Sequence, residues 1–208
     1  MLSKTIGIID YGIGNIKSVV NTLDLLGYNS LVSNNPLDFK NLKKILLVGV
    51  GSYDLGMRNL IKHGFDKFLI DFVLKGGHIF GICLGFQILF EKGTENNITK
   101  GLNLVKGTVE SINLKNNLKV PHIGWNNLNS KNFKNMKLLK DIDIESNFYF
   151  VHSYFANPTE EINKVTTNYL NLEFCSMIEK DDKIYGTQFH PEKSQLAGMK
   201  IFSNFYNI

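Results

Sequence analysis

Cys83 lies in a segment whose residue types favour nucleophilic chemistry. The segment reads Gly81-Ile82-Cys83-Leu84-Gly85, and glycines two residues to either side of a cysteine let a strand turn sharply into a helix without a clash of β-carbons. The start of that helix favours the thiolate, which is the nucleophilic form of cysteine. The backbone N–H of Leu84 is placed to donate a hydrogen bond to an oxyanion. From this segment alone, a buried structural cysteine beside packing glycines is an equally good interpretation.

A second segment places a histidine and a carboxylate where they can assist that cysteine. His190 ends the last predicted strand, and Glu192 follows two residues later. Because the carboxyl ends of parallel strands meet at one edge of a sheet, His190 can reach Cys83. Glu192 can then hold the imidazole in the correct tautomer, which completes the roles of nucleophile, base and orienting group. A strand-end histidine is more often structural, but two such segments together favour a Cys–His–Glu triad.

The elements that must position these residues alternate between strand and helix in the first half of the chain. Apolar β-branched runs predict strands over residues 5–10, 28–32, 44–50 and 78–82. Helical periodicity predicts helices over residues 16–26, 55–62, 65–74 and 84–91. Continuous apolar strands alternating with helices indicate a parallel sheet that is covered on both faces.

The second half of the chain predicts antiparallel strands. These lie over residues 104–114, 148–155, 164–169, 173–179 and 184–189, with hairpin signals at Asn116-Asn117 and Asp181-Asp182. A final helix is predicted over residues 196–206, and residues 131–141 are predicted to form a solvated loop. We therefore expect an α/β fold in one domain spanning residues 1–208. Its open, mostly parallel twisted sheet carries helices on both faces and an antiparallel extension.

Composition excludes several classes of protein. Of the 208 residues, 43% are hydrophobic and 20% are charged, which excludes a disordered chain. The net charge of +4 is scattered, and Arg58 is the one arginine, so binding to nucleic acid is not expected. No segment approaches the ~20 apolar residues of a membrane span. The two cysteines, Cys83 and Cys175, lack disulfide or metal-site spacing, so a cytoplasmic protein with no metal and no cofactor is expected.

Several motifs carry a resemblance to a known family. The segments Gly81–Gln87 and Gln188–Glu192 resemble the two signatures of class I (triad) glutamine amidotransferases, whose sheet has a flavodoxin-like core. More specifically, the chain is similar to glutaminase subunits of imidazole glycerol phosphate synthases. The stretches that carry this closer likeness are Ile9–Asn15, Gly49–Gly51, Lys119–Asn126, Phe150–Tyr154 and Lys193–Gln195.

The resemblance implies an activity, a site and a partner. It implies hydrolysis of L-glutamine and delivery of the ammonia to a (β/α)8-barrel cyclase subunit that makes imidazole glycerol phosphate and AICAR in histidine biosynthesis. The second oxyanion donor is implied to come from Gly49, Val50 and Gly51, and the amino-acid end of the substrate to bind Gln87, Ser153 and Tyr154. Tyr149 and Lys193 are implied to face the partner. The loop containing Tyr11, Gly12 and Asn15 is expected at the same edge and in the same interface.

One departure from the family and two other functions qualify this interpretation. Val48 stands where the family usually has proline, and it keeps an N–H just before the oxyanion strand.

One alternative function is that of a paralogous glutaminase that feeds a different synthase, such as one that aminates a sugar nucleotide for surface glycans. The other is a cysteine peptidase or an inactive regulatory module on the same fold. The intact His190-Pro191-Glu192 run disfavours an inactive module, and the glutamine-site residues disfavour a peptidase.

Overall fold

The computed structural model describes residues 4–113, 119–129 and 131–208. The helices described are α1 (Ile16–Leu25), α2 (Tyr53–Lys62), α3 (Phe65–Leu74), α4 (Leu84–Ile88) and α5 (Gln195–Asn207). The first seven strands described are β1 (Ile6–Ile9), β2 (Ser30–Ser33), β3 (Lys44–Gly49), β4 (His78–Cys83), β5 (Phe90–Gly93), β6 (Thr99–Lys100) and β7 (Val105–Ser111). The others are β8 (His122–Asn127), β9 (Asn147–His152), β10 (Tyr154–Pro158), β11 (Asn163–Tyr169), β12 (Leu172–Lys180) and β13 (Ile184–Thr187).

The parallel half of the main sheet runs in the order β2-β1-β3-β4-β13. The registers place Gly49 at the end of β3 beside Cys83 at the end of β4, and Thr187 of β13 beside Ile82. The carboxyl ends of these three strands therefore meet at one edge, as parallel strands require. That edge is where the chemistry-bearing residues were predicted.

Alternation along β3 explains why helices cover both faces of the sheet. Successive side chains of a strand point to opposite faces. Ile45 and Leu47 pack with the apolar side chains of α2 and α3, whereas Leu46 and Val48 pack with those of α1 and α5. Each face of the parallel strands is therefore apolar and needs its own layer of helices. Among the described helices, none combines the length and the apolar character that crossing a bilayer requires.

The antiparallel half extends this sheet. Strand β12 pairs antiparallel with β13, β11 and β10, and β10 pairs antiparallel with β7. Asp181 and Asp182 connect β12 to β13 with φ values of 53° and 55°, a left-handed turn that aspartate tolerates and that the hairpin signal predicted. The predicted fold class, a mostly parallel α/β sheet with an antiparallel extension, is confirmed.

Three predicted elements differ from the structure. Helix α4 ends at Ile88 rather than residue 91, because β5 begins at Phe90 and pairs with β7. The predicted strand over residues 148–155 is two strands, β9 and β10, in different sheets. Residues 131–141 are not a solvated loop, since Phe133, Leu138 and Leu139 are buried in the core. The hairpin predicted at Asn116-Asn117 lies outside the described residues.

Strand β8 was not predicted, and it pairs with β9 in a small separate sheet. Its sequence has little apolar alternation, and its side chains Ile123 and Trp125 are largely exposed. The paired residues are 20 to 30 positions apart in the chain, from Asn127 opposite Asn147 to His122 opposite His152. This small sheet stands beside the edge where β4 and β13 end, and it forms a wall of the candidate site.

Candidate active site

The junction between β4 and α4 holds Cys83 in a strained backbone conformation. Its φ is 55° and its ψ is −109°, values that residues with a β-carbon rarely adopt. A β-carbon at position 85 would collide with the carbonyl oxygen of Leu47, and one at position 81 would lie 2.7 Å from the backbone of Phe86. Glycine is therefore required on both sides of Cys83 for the close approach of the turn to the sheet.

His190 and Glu192 form a buried pair just beyond the end of β13. The Nδ1 atom of His190 lies 2.7 Å from Oε1 of Glu192, and the two side chains are 1% and 0% exposed. The carboxylate accepts a hydrogen bond from Nδ1, which leaves Nε2 as the ring nitrogen available to Cys83. Neither Nε2 of His190 nor Oε2 of Glu192 has a hydrogen-bond partner among the described residues.

The charges around His190 favour its protonated form. Burial by itself lowers the pKa of His190, but the negative charge of the Cys83 thiolate and the carboxylate of Glu192 outweigh burial and raise it to about 10. The surroundings therefore favour the imidazolium form of His190 at neutral pH. The three residues predicted as a triad lie together in the structure.

A cavity of about 470 Å³ opens above Cys83. The predicted site residues that line it are Val50, Gly51, Cys83, Leu84, Gln87, Ser153, Tyr154 and Lys193. The residues of its lining that the sequence did not single out are Glu95, Pro121, Val151 and His152. Gly49, the remaining residue of the predicted oxyanion strand, is buried beneath this lining and stands beside Cys83 in the sheet.

Gln87 is held by a chain of amide hydrogen bonds. Its Nε2 atom donates to the carbonyl of Tyr154 over 2.8 Å and to Oε1 of Gln188 over 3.0 Å. The Nε2 atom of Gln188 in turn lies 3.9 Å from the sulfur of Cys83. In the sequence, Gln188 was noted only as part of a motif. Its place two residues before the candidate base His190 was the feature from which its position beside the thiol could have been predicted.

His152 and His122 form a second buried pair that the sequence analysis did not single out. The Nδ1 atom of His152 lies 2.9 Å from the carbonyl oxygen of Tyr154, and its Nε2 atom lies 3.1 Å from Nδ1 of His122. His152 therefore donates to Tyr154 and accepts from His122. Burial lowers the pKa of His152 to about 3 and that of His122 to about 4. In the described part of the chain, no third side chain joins the pair to make a metal-binding group.

The His122–His152 pair predicts a loss of stability in acid. An unfolded histidine has a pKa of about 6.5, so between pH 6.5 and the lowered folded values the unfolded state binds more protons. The free energy of unfolding then falls as the pH falls through this window, by about 1.4 kcal/mol per pH unit for each proton taken up. Urea unfolding at a series of pH values gives the free energy of unfolding as a function of pH. Between pH 6.5 and pH 4 this free energy should change less steeply with pH for His122→Phe than for the unmodified chain. Equal slopes would contradict this assignment.

The residues predicted for a partner interface divide into two groups. Gly12, Asn15 and Lys193 are exposed, and the ammonium group of Lys193 lies 5.4 Å from the centre of the half-buried Tyr149 ring. Tyr11, by contrast, is fully buried. The ring of Tyr11 is therefore not available at the surface in this conformation, and its place in the interface stays a prediction. Its ring turns inward from the end of β1 because it packs in the apolar layer beneath the sheet edge.

Comparison with known proteins agrees with this architecture. The family model of class-I glutamine amidotransferases matches residues 7–208. A solved structure described as PurLQS from Thermotoga maritima superposes with a TM-score of 0.73, covering 100% of this chain and 99% of that chain. Its sequence identity is 18%, so this likeness concerns the fold alone. The family model therefore defines the class of the protein as a class-I glutamine amidotransferase.

Relatives define a narrower group. A protein of Chlorobium chlorochromatii is 43% identical over 200 residues, which cover 95% of this chain and 97% of the relative. One of Geobacillus is 41% identical over 207 residues, covering 98% and 96%. Both are named imidazole glycerol phosphate synthase subunit HisH. The chain belongs to the class-I glutamine amidotransferase family and, within it, to the HisH subunits of imidazole glycerol phosphate synthase. The family resemblance identified in the sequence is confirmed.

Proposed function

We propose that this chain hydrolyses L-glutamine to glutamate and ammonia through Cys83, His190 and Glu192. The thiolate of Cys83 attacks the side-chain amide carbon, and His190 protonates the departing nitrogen, which leaves as ammonia. The resulting glutamyl thioester is then hydrolysed by water, with His190 accepting the proton of the water. The observation that carries the proposal is the buried His190–Glu192 pair, 2.7 Å apart, beside a cysteine on a strand–helix turn.

The oxyanion of the tetrahedral intermediate needs donors on the cavity side of Cys83. The N–H of Leu84 follows the nucleophile directly and supplies one of them. The second comes from the Gly49–Gly51 segment, of which Val50 and Gly51 line the cavity. Each donor of this kind stabilises the transition state by about 3 kcal/mol.

The lining of the cavity matches the two charges of a free amino acid. Glu95 supplies a carboxylate for the α-ammonium group, and Lys193 supplies an ammonium group for the α-carboxylate. Gln87, Ser153 and Tyr154 also line the cavity and complete the proposed contacts with the amino-acid end of glutamine. A peptide substrate lacks one or both of these terminal charges, so the lining favours glutamine over a peptide.

We propose that the ammonia passes to a (β/α)8-barrel cyclase subunit in histidine biosynthesis. The relatives' names support this assignment, because they describe a subunit of imidazole glycerol phosphate synthase. Gly12, Asn15, Tyr149 and Lys193 are the proposed docking residues. Lys193 both lines the cavity and contacts Tyr149 outside it, so a partner bound there touches the substrate pocket itself.

We expect the isolated subunit to be a poor glutaminase that its partner activates. The glycines of the Gly49–Gly51 segment allow its peptide planes more than one orientation, and a partner that binds only the active one shifts the equilibrium toward it. Raising the active form from about 1:99 to an even ratio needs about 3 kcal/mol of differential binding. Steady-state glutaminase activity is measured for the chain alone and for the chain with the cognate cyclase and a substrate analogue.

The possible outcomes separate activation by the partner from the proposed reaction. Equal glutaminase rates with and without the cyclase would exclude activation. No release of glutamate in either sample would contradict the proposed function itself. A high basal rate that Val48→Pro lowers would show that valine at this position loosens the segment, because proline restricts φ just before the glycines.

A further inference from the structure

The hydroxyl of Tyr11 is buried without a hydrogen-bond partner among the described residues. The side chain is 0% exposed, so bulk solvent does not reach the hydroxyl. A buried hydroxyl that makes no hydrogen bond destabilises the folded state relative to phenylalanine at the same place. An unsatisfied group of this kind calls for an explanation, and a second conformation in which the hydroxyl is paired supplies one.

The hydroxyl of Tyr11 lies directly against the proposed oxyanion strand. A β-carbon at Gly49 would collide with it, and that same position lies 3.3 Å from the backbone nitrogen of Gly85. Gly49 stands beside Cys83 in the register of the sheet. Val50 and Gly51, the next two residues, form part of the lining of the cavity. The Gly49–Val50 peptide therefore connects the residue that the Tyr11 hydroxyl approaches to the lining of the substrate pocket.

We propose that Tyr11 is a positioning residue whose hydroxyl donates a hydrogen bond to the Gly49 carbonyl in the reacting conformation of the Gly49–Val50 peptide. The C=O and the N–H of a trans peptide point in opposite directions. A carbonyl directed down to Tyr11 therefore directs the Val50 N–H up into the cavity, where the oxyanion forms. This inference rests on the proposed glutaminase function, and it supplies the anchor for the second oxyanion donor.

Two features of the surroundings support this role. Gly49 carries no side chain, so the peptide plane can rotate at little conformational cost. Burial raises the pKa of Tyr11, and the nearby charge of Cys83 raises it further. The hydroxyl consequently keeps its proton throughout the working pH range and is available to donate a hydrogen bond.

The test replaces Tyr11 with phenylalanine and uses Tyr185 as the matched control. Tyr185 in β13 is also 0% exposed, and its hydroxyl likewise lacks a partner within the described residues, but its ring packs against Phe205 of α5. Both Tyr11→Phe and Tyr185→Phe remove an unsatisfied hydroxyl, so neither is expected to lower the free energy of unfolding. Only Tyr11→Phe is expected to lower kcat for glutamine, by about tenfold, with KM unchanged.

Activity is measured on the complex with the cyclase subunit, and stability by urea unfolding of each variant. The inference is overturned if Tyr11→Phe keeps the kcat of the unmodified complex, or if its kcat falls only together with its stability. Ammonia-dependent synthesis must stay unchanged in both variants. If the proposed glutaminase function itself is wrong, the result differs from these, because the unmodified complex would then release no glutamate from glutamine.

Discussion

Replacing Cys83 with alanine is expected to abolish glutamine-dependent synthesis by the assembled enzyme. The sulfur is the atom that forms the thioester, and no neighbouring group can take its place in that bond. Removing the nucleophile of a triad lowers kcat by a factor of about 10³ or more. Synthesis from added ammonium salts should continue at the unmodified rate, because the partner consumes ammonia whatever its source. Both rates are measured on the same complex.

Cys175 provides the matched control for this experiment. It lies in β12 and is 5% exposed, and burial raises its pKa to about 12, which keeps its thiol protonated and unreactive. Cys175→Ala should therefore retain glutamine-dependent activity. Persistence of glutamine turnover in Cys83→Ala would show that the mechanism proposed here is wrong.

Substitutions at His190 and Glu192 are expected to have unequal effects. His190→Ala removes the group that protonates the leaving nitrogen, so its loss of kcat should approach that of Cys83→Ala. Glu192→Gln should cost less, because the amide oxygen can still accept the hydrogen bond from Nδ1 and keep the imidazole oriented. The ranking is measured as kcat for glutamine in the complex with the cyclase.

The pH dependence separates the charge of Glu192 from its geometry. The carboxylate is one of the groups that raise the pKa of His190 to about 10. Its loss in Glu192→Gln lowers that pKa, so the alkaline limb of the kcat/KM profile should move to lower pH. Glu160→Gln serves as the control, since that carboxylate pairs with Lys180 at 2.8 Å in a different part of the fold. An alkaline limb that stays in place in Glu192→Gln would contradict the assigned role.

Much of the architecture follows from local signals. Helix α3 occupies residues 65–74 as predicted, because its apolar residues recur at helical spacing and Gly64 and Gly76 bound it. The junction at Cys83 was predicted from its two glycines, whose missing β-carbons are what the close packing against Leu47 and Phe86 requires. Such patterns involve residues that are close in the chain, so the helix and the turn can be predicted from them without knowledge of the fold.

Other features depend on segments that are distant in the chain. The hydrogen bonds from Gln87 to Tyr154 and Gln188, and from His122 to His152, join residues 30 or more positions apart. Strand β8 exists only because β9 pairs with it. Residues 131–141 are rich in lysine and asparagine, yet their few apolar side chains are buried in the core. The average composition of a segment predicts solvent exposure for the whole segment, whereas each side chain is buried or exposed according to its own contacts.

Tyr11 shows most clearly where local reasoning ends. Its sequence, in a polar and glycine-rich turn at the edge that holds the site, is equally compatible with a ring exposed to a partner and a ring turned inward. The residue types and their spacing were sufficient to predict Cys83, His190 and Glu192 at one sheet edge. The turn at Cys83 is encoded locally, and the carboxyl ends of parallel strands meet at the same edge whatever the order of the strands. The inward direction of Tyr11 was decided by tertiary packing, since the space beneath Gly49 is formed only when β1, β3 and α4 come together.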